Sequence, residues 1–551
     1  MSKKNEDRDL PGISRRRFLQ VTTTGAATLS LLSGCRPGEP SSAENEKAGA
    51  TSLTDFELDE MSVSELKEAM ERGRYSCRSI VERYLSRVDS LNRQGPALRA
   101  LIETNPDALE IAESLDQERR SGNLRGPLHG IPVVLKDNID TADKMTTTAG
   151  SLALQGSIAP RDSFVAQRLR EAGALILGKA NLSEWANFRS DHSSSGWSGR
   201  GGQCRNPYDI TRNPCGSSSG SAVAVSANLT ALAVGTETNG SIVCPSNACG
   251  IVGIKPTVGL VGRSGIVPIS HTQDTAGPMA RSVGDAALML GAMTGPDPRD
   301  EATKASRGNA HRDYTSFLDE SALKGTRLGV VRQAFGFSPK VERVLEGALE
   351  ELKRRGAELV EVDLPRRREY GDSSFQLLLY EFKADLNAYL TSLGPSAPVK
   401  SLAEIIAFNQ QHKDEEMPYF GQELFIQAEK KGPLTEKAYQ EARERSLRVA
   451  RQGIDKAMDE QRLNALIAPT GGPAWKIDLV TGDHFSGSSS SPAARAGYPN
   501  ITVPAGSVQG LPVGLSFFGR AWSEPTLIGI AYAFEQATQA RKKPRFLEGV
   551  V

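Results

Sequence analysis

The chain has 551 residues, 38% apolar and 24% charged, with 66 lysines and arginines against 66 aspartates and glutamates. That balance fits a globular protein with an ample core. It excludes a surface built for a polyanion, so no nucleic-acid partner is expected. Six histidines and six cysteines contain neither C-x-x-C nor H-E-x-x-H, which excludes the common zinc arrangements, and no metal or cofactor is called for.

Residues 14–20 read SRRRFLQ and resemble a twin-arginine export signal. A modest apolar region, 21–32, follows, about half the length that spans a bilayer. It ends in LLSGC, which looks like a lipoprotein cleavage box with Cys35 as the lipidated residue. The expectation is an exported protein whose residues 1–35 are a signal peptide and whose membrane contact runs through Cys35. Residues 36–52, rich in Pro, Gly, Ser and Glu, read as a solvated tether.

From there, 53–551 reads as one domain. Ser62-Val-Ser-Glu65 fits a capping box and starts a helix. A second helix over 78–91 puts Ile80, Val81, Tyr84, Leu85 and Val88 on one face. Strand-like 97–103, a helix from Pro106 to Arg120, and a buried strand at 131–137 follow. A helix at 165–174, a strand at 175–181, then strand, helix and strand over 326–364 keep the alternation of an α/β layered fold. Residues 370–460 are helical and highly charged, while strands return at 463–469, 501–506 and 513–519. The segment is therefore a helical insertion in one domain. GSSSSP at 487–492 reads as a flexible loop.

The chemistry lies in GSSSGSAVAVSANLTALAVGTETNGS, residues 216–241. A helix from Ser219 to about Asn228 rises roughly 15 Å, and a strand over 230–237 returns roughly 23 Å. This path carries Ser241 back beside Ser217 and Ser218 at the helix N-terminus. A serine needs a base to become a nucleophile, and no histidine is near in sequence. Lys136 ends the apolar run IPVVL and is followed by Asp137; burial can keep its amine neutral. Asn239 and Gly240 suit a turn whose N–H groups face an oxyanion.

Lys136, the GSSSGS run and the NGSIV serine have the order and spacing of the amidase signature family. The resemblance runs from about residue 60 and is densest at LHGIPVVLKDNID, GIVGIKPTVG and DTAGPMARS. It implies an α/β/α sandwich around a mixed, mostly parallel sheet and a Ser–cis-Ser–Lys triad. Ser241 would be the nucleophile that forms an acyl-enzyme. Ser217, joined to Gly216 by a cis bond, would bridge to the neutral base Lys136. The N–H groups of Thr238, Asn239, Gly240 and Ser241 would form the oxyanion hole, with Gly216, Ser218 and Asp137 in support. Four positions depart from the family pattern: Asn239 and Val243 stand where Gly-Gly-Ser-Ile-Arg has its first glycine and its arginine, and Cys215 and Ser219 each stand where the pattern has a glycine. CGSSSGSAVAV with GTETNGSIVCP looks most like the peptide amidase branch, which hydrolyses C-terminal amides of peptides, so a small-molecule or peptide amide is the expected substrate.

Three competing readings stand beside it. An amidotransferase of the A type, working with partner subunits on charged tRNA, is disfavoured by the export signal, the charge balance and Val243. A silent binding lipoprotein is disfavoured by the intact Lys136–Ser217–Ser241 set. G-x-S-x-G with Ser218 as elbow nucleophile and His271 or His484 as base lacks the buried strand that an elbow needs, because turn-rich NPYDITRNPC precedes it. Ser321-Ala-Leu-Lys324 is a chance S-x-x-K match. Cys215, Cys244 and Cys249 lie near the site and could pair in an oxidising compartment, but being small and close to apolar neighbours they read as packing residues.

Overall fold

The computed structural model describes residues 56–549. The signal peptide, Cys35 and the tether lie outside the described residues. Everything described falls within one unit, 53–551.

Thirteen strands follow in chain order. The first five are β1 (Leu101–Thr104), β2 (Pro132–Lys136), β3 (Leu175–Ala180), β4 (Trp197–Ser198) and β5 (Gly202–Gln203). Next come β6 (Leu232–Glu237), β7 (Val252–Lys255), β8 (Thr275–Ala280), β9 (Arg327–Val331) and β10 (Glu358–Val362). The last three are β11 (Ala465–Pro469), β12 (Asn500–Val508) and β13 (Leu511–Phe518). Strands β4 and β5 make a separate ribbon; the rest form one sheet ordered β1-β3-β2-β6-β8-β7-β12-β13-β11-β9-β10. The sheet is mixed. Parallel pairs form two blocks, β3-β2-β6 and β11-β9-β10, and the pairs between them are antiparallel. Strands β12 and β13 join through Gln509 and Gly510, both at positive φ, the backbone a tight hairpin needs.

Strands β2, β3 and β6 are buried along their whole length, which is why each reads as an apolar run without alternation. Helices cover both faces. The helix Ser219–Ser226 is buried at every residue, so it is short and small-residued. A β-carbon on Gly220 would meet the Ala100 and Asn181 carbonyl oxygens at 2.1 and 2.5 Å. The predicted strand over 97–103 narrows to β1, because Ala97 and Arg99 sit at positive φ. There the Asn92 side chain takes the N–H groups of Ala100 and Leu101.

The helical insertion is present as Gly371–Ser392, Leu402–Gln411, Lys413–Glu416, Glu423–Glu429 and Lys437–Glu460. It leaves from β10 and returns at β11, the two neighbours of β9, so the sheet closes around its base. Phe382 and Phe425 stack inside it, and Trp185 from the main body packs edge-on against Phe425.

Two glycines on helices test this packing. Gly347, exposed on the helix Pro339–Arg354, has open space where a β-carbon would sit, with nothing within 4 Å. Gly347→Ala is expected to stabilise the fold by about 0.5–1 kcal/mol. Gly220→Ala is expected to destabilise it by ~1–3 kcal/mol. Urea unfolding midpoints measure both.

Candidate active site

Lys136 is the last residue of β2 and is fully buried. Its Nζ donates to Ser217 Oγ at 2.8 Å and to Thr236 Oγ1 at 2.9 Å, with the Thr236 carbonyl at 3.4 Å. Burial brings its pKa down from 10.5 to about 7, while the charges of Asp274 and Glu237 hold it up. Asp137 does not face this amine. It is the first residue past β2, and its carboxylate accepts from the Thr148 hydroxyl and the Gly150 N–H and faces Arg200 at 3.6 Å. Burial pushes its carboxyl upward. Asp137 therefore shapes the 148–150 turn, and its support of the lysine is through the backbone alone.

The peptide bond between Gly216 and Ser217 is cis. A β-carbon on Gly216 would lie 2.1 Å from Ser183 Oγ, so only glycine fits. Ser217 is fully buried, and its carbonyl accepts the Ser183 N–H at 3.0 Å. Ser218 Oγ donates to the Thr236 carbonyl at 3.0 Å and accepts the Thr236 N–H at 3.2 Å, clamping the helix start to β6. The Ser218 N–H then reaches the Ser241 carbonyl at 3.1 Å. The predicted helix-and-return path thus places both serine segments side by side.

The turn after β6 is organised by Glu237, a residue sequence reasoning missed. Its carboxylate accepts the N–H groups of Gly240 at 2.7 Å, Ile242 at 2.8 Å and Val243 at 3.1 Å. Gly240, at φ 87°, gives the turn its shape, but its N–H is committed to Glu237 and leaves the expected set of four donors. The N–H groups of Thr238, Asn239 and Ser241 meet no acceptor among the described residues. Thr238 Oγ1 donates to Asp274 at 2.5 Å, and Asp274 also takes the N–H groups of Ile269 and Ser270. Burial raises the Asp274 carboxyl to about 6. Asn239 Oδ1 accepts from Ser490 at 2.8 Å, and Ser489 Oγ donates to the Pro469 carbonyl at 2.6 Å. The 487–492 stretch is therefore pinned, with a helix from Ser491, and is no flexible loop. Glu237 and Asp274 lie in TETNGS and DTAGP; an acid at the end of β6, three residues before Gly240, was the available signal for the first, and nothing local marked the second.

Ser241 is half-buried, the accessible end of an otherwise sealed Lys136–Ser217 pair. A cavity of about 420 Å3 touches Thr236, Glu237 and Thr238, which lead into the Ser241 turn, and is walled by Ile266, Val267, Tyr389 and Leu393. The elbow alternative does not assemble, because Ser218 is buried against β6. His271 faces Asp385 and Glu381, and His484 faces Thr481 and Asp478. Both ring nitrogens of His271 lie against carboxylates, Nδ1 against Asp385 and Nε2 against Glu381, and this His–Glu–Asp group is not the base of an elbow serine. Cys215 and Cys244 are not separate packing residues: they form a disulfide, because the same juxtaposition that aligns Ser217 with Ser241 aligns their neighbours. Cys249 is a buried free thiol, as expected.

The chain belongs to the amidase family, whose model (described as Amidase) matches residues 79–528. A protein of Arabidopsis thaliana described as a probable amidase is 46% identical over 502 residues, covering 89% of this chain and 93% of that one. The solved structure of native peptide amidase from Stenotrophomonas maltophilia is 52% identical, covers 89% of this chain and 100% of its own, and superposes with a TM-score of 0.86. A glutamyl-tRNA(Gln) amidotransferase of the A type, from Symbiobacterium thermophilum, is 35% identical over 490 residues, 87% of this chain and 97% of that one. The sandwich fold expected from the sequence is that of these structures, and the protein is an amide-hydrolysing enzyme.

The buried amine sets a measurable linkage. Between pH 7 and 10.5 the folded chain binds fewer protons at Lys136 than the unfolded chain. Stability from this group is therefore present above 10.5 and lost as pH falls toward 7. Lys136→Met removes that slope. Its stability relative to wild type is expected to rise as pH falls from about 10 to about 7 and then level off, read from urea unfolding at a series of pH values.

Proposed function

We propose that the enzyme cleaves carboxamide C–N bonds through an acyl-Ser241 intermediate, with C-terminal amides of peptides as its first substrate class. The carrying observation is the 2.8 Å contact from a fully buried Lys136 amine to Ser217 Oγ, next to a half-buried Ser241. In its neutral form Lys136 accepts the Ser217 proton while Ser217 takes that of Ser241. Ser241 Oγ attacks the carbonyl carbon, and the N–H groups of Thr238, Asn239 and Ser241 are the donors available to the oxyanion. The proton returns through Ser217 to the leaving nitrogen, and water then releases the acid. No hydrogen bond joins the two serine hydroxyls among the described residues, so substrate must bring Ser241 into line, a tightening common at catalytic contacts. The substrate class rests on the 52% identity to a peptide amidase.

The amidotransferase reading keeps the 35% relative as its support; buried Val243, where the family pattern has an arginine, weighs toward peptide amides. For location, we infer export and lipid attachment at Cys35 from SRRRFLQ and LLSGC. The Cys215–Cys244 bond suits an oxidising compartment.

Ammonia release from peptide amides, free glutamine and small aryl amides is the direct test. Peptide amides are expected to turn over, with loss of at least 1,000-fold, about 4 kcal/mol, in Ser241→Ala. Turnover confined to glutamine would sink the substrate assignment. The kcat/KM of wild type should rise with pH through about 7 as Lys136 loses its proton. Membrane fractionation of wild type against Cys35→Ala tests the anchor; equal release of both into the soluble fraction would refute it.

A further inference from the structure

Cys215 is an unusual occupant of its position. Its φ of 62° lies in the left-handed region, where glycine is free and a β-carbon is disfavoured. A side chain held there against its local preference is there for its sulfur, and that sulfur is bonded to Cys244.

The bond spans the two segments the chemistry must bring together. Cys215 stands two residues before Ser217, and Cys244 three residues after Ser241. The Ser219 hydroxyl donates to the Cys215 carbonyl at 2.6 Å, tying Cys215 to the helix start that carries Ser217 and Ser218. The Cys244 N–H reaches the Gly240 carbonyl at 2.8 Å, tying Cys244 to the turn that carries Ser241. Across the gap between these units run the Ser218–Ser241 backbone hydrogen bond and the disulfide. Ala248, Ala474 and Trp475 pack over it.

We propose that the Cys215–Cys244 disulfide is a positioning cross-link of the triad, fixing the Ser217 backbone against that of Ser241, so that full amide turnover requires the bond closed. The inference rests on Ser241 being the nucleophile. With both backbones pinned, the adjustment left to substrate is a rotation of the Ser241 side chain. With the bond open, the Gly240–Cys244 turn can drift and the proton path from Ser241 to Ser217 lengthens.

Opening the bond takes two electrons and two protons, which a dithiol reductant supplies. Dithiothreitol gives up two thiol hydrogens, the Sγ–Sγ bond breaks, each cysteine ends as a thiol, and the reagent closes to its cyclic disulfide. Cys244 is half-buried and Cys215 6% exposed, so the reagent reaches the bond from the Cys244 side. Cys77, Cys204 and Cys249 are buried thiols before and after.

The test compares the full-length enzyme oxidised, reduced with dithiothreitol and re-oxidised, together with Cys215→Ala/Cys244→Ala, on a peptide amide below the unfolding onset of each form. Thiol titration should gain two groups on reduction. The expected result is a fall in kcat of at least tenfold with KM changed less than threefold, recovery on re-oxidation, and the double variant matching the reduced enzyme. A purely structural bond would lower the unfolding temperature and leave kcat per folded molecule intact. Unchanged kcat within twofold in reduced enzyme, or no gain of two thiols, overturns the proposal. If the double variant does not fold, the reduction and re-oxidation series decides alone. Oxidised Ser241→Ala, run in parallel, separates the two claims: activity there would refute the nucleophile and the cross-link with it, whereas an inactive Ser241→Ala with kcat unchanged on reduction would refute the cross-link alone.

Discussion

The site depends on placing an amine where there is no water. A buried ammonium is expensive, and the fold meets that cost with oxygen acceptors from two other segments, Ser217 and Thr236, around Nζ. Those acceptors have to arrive at the end of β2, which restricts the topology. Strand β6 must lie beside β2, and the segment before it must return to the same end. The parallel block β3-β2-β6 and the short buried helix Ser219–Ser226 satisfy both conditions. Gly220 and Gly216 are where that closeness shows, because neither leaves room for a β-carbon.

A second buried charge performs the opposite task. Glu237 gathers three backbone N–H groups of the Ser241 turn, while those of Thr238, Asn239 and Ser241 meet no acceptor among the described residues. Asp274 holds Thr238 from the far side of the turn. Both acids also bear on Lys136 by charge, so the geometry of the turn and the basicity of the lysine share two residues. Neither acid touches the Ser241 hydroxyl.

Much of this was legible in the sequence because the relevant signals are local. Ser62 and Glu65 announce a helix start through their own hydrogen bonds. Apolar runs such as PVVL mark strands buried on both faces, and the spacing of Ser217 from Ser241 follows from helix rise and strand rise alone. What stayed hidden depends on contacts across the chain. The Gly240 N–H looked like an oxyanion donor, since nothing local says that Glu237 folds back onto it. Asp137 looked like a support of the triad, yet in the turn after β2 its side chain meets Thr148, Gly150 and Arg200. Cys215 and Cys244 looked like packing until two distant turns met. The antiparallel middle of the sheet was equally invisible, because register between β8, β7 and β12 is decided by pairing and not by composition.

The insertion between β10 and β11 bears on how such an enzyme can diversify. Lys136, Ser217 and Ser241 come from a stretch of little more than a hundred residues at one end of the sheet, whereas Tyr389 and Leu393 in the cavity wall come from a segment anchored at the other end. The buried lysine with its two serines and part of the cavity wall are therefore encoded in separate reaches of the chain. Drift in the inserted helices can recut the chamber while the buried lysine and its two serines stay under their own, unrelenting packing constraints. One scaffold can in this way try new acyl or amine partners without renegotiating its chemistry.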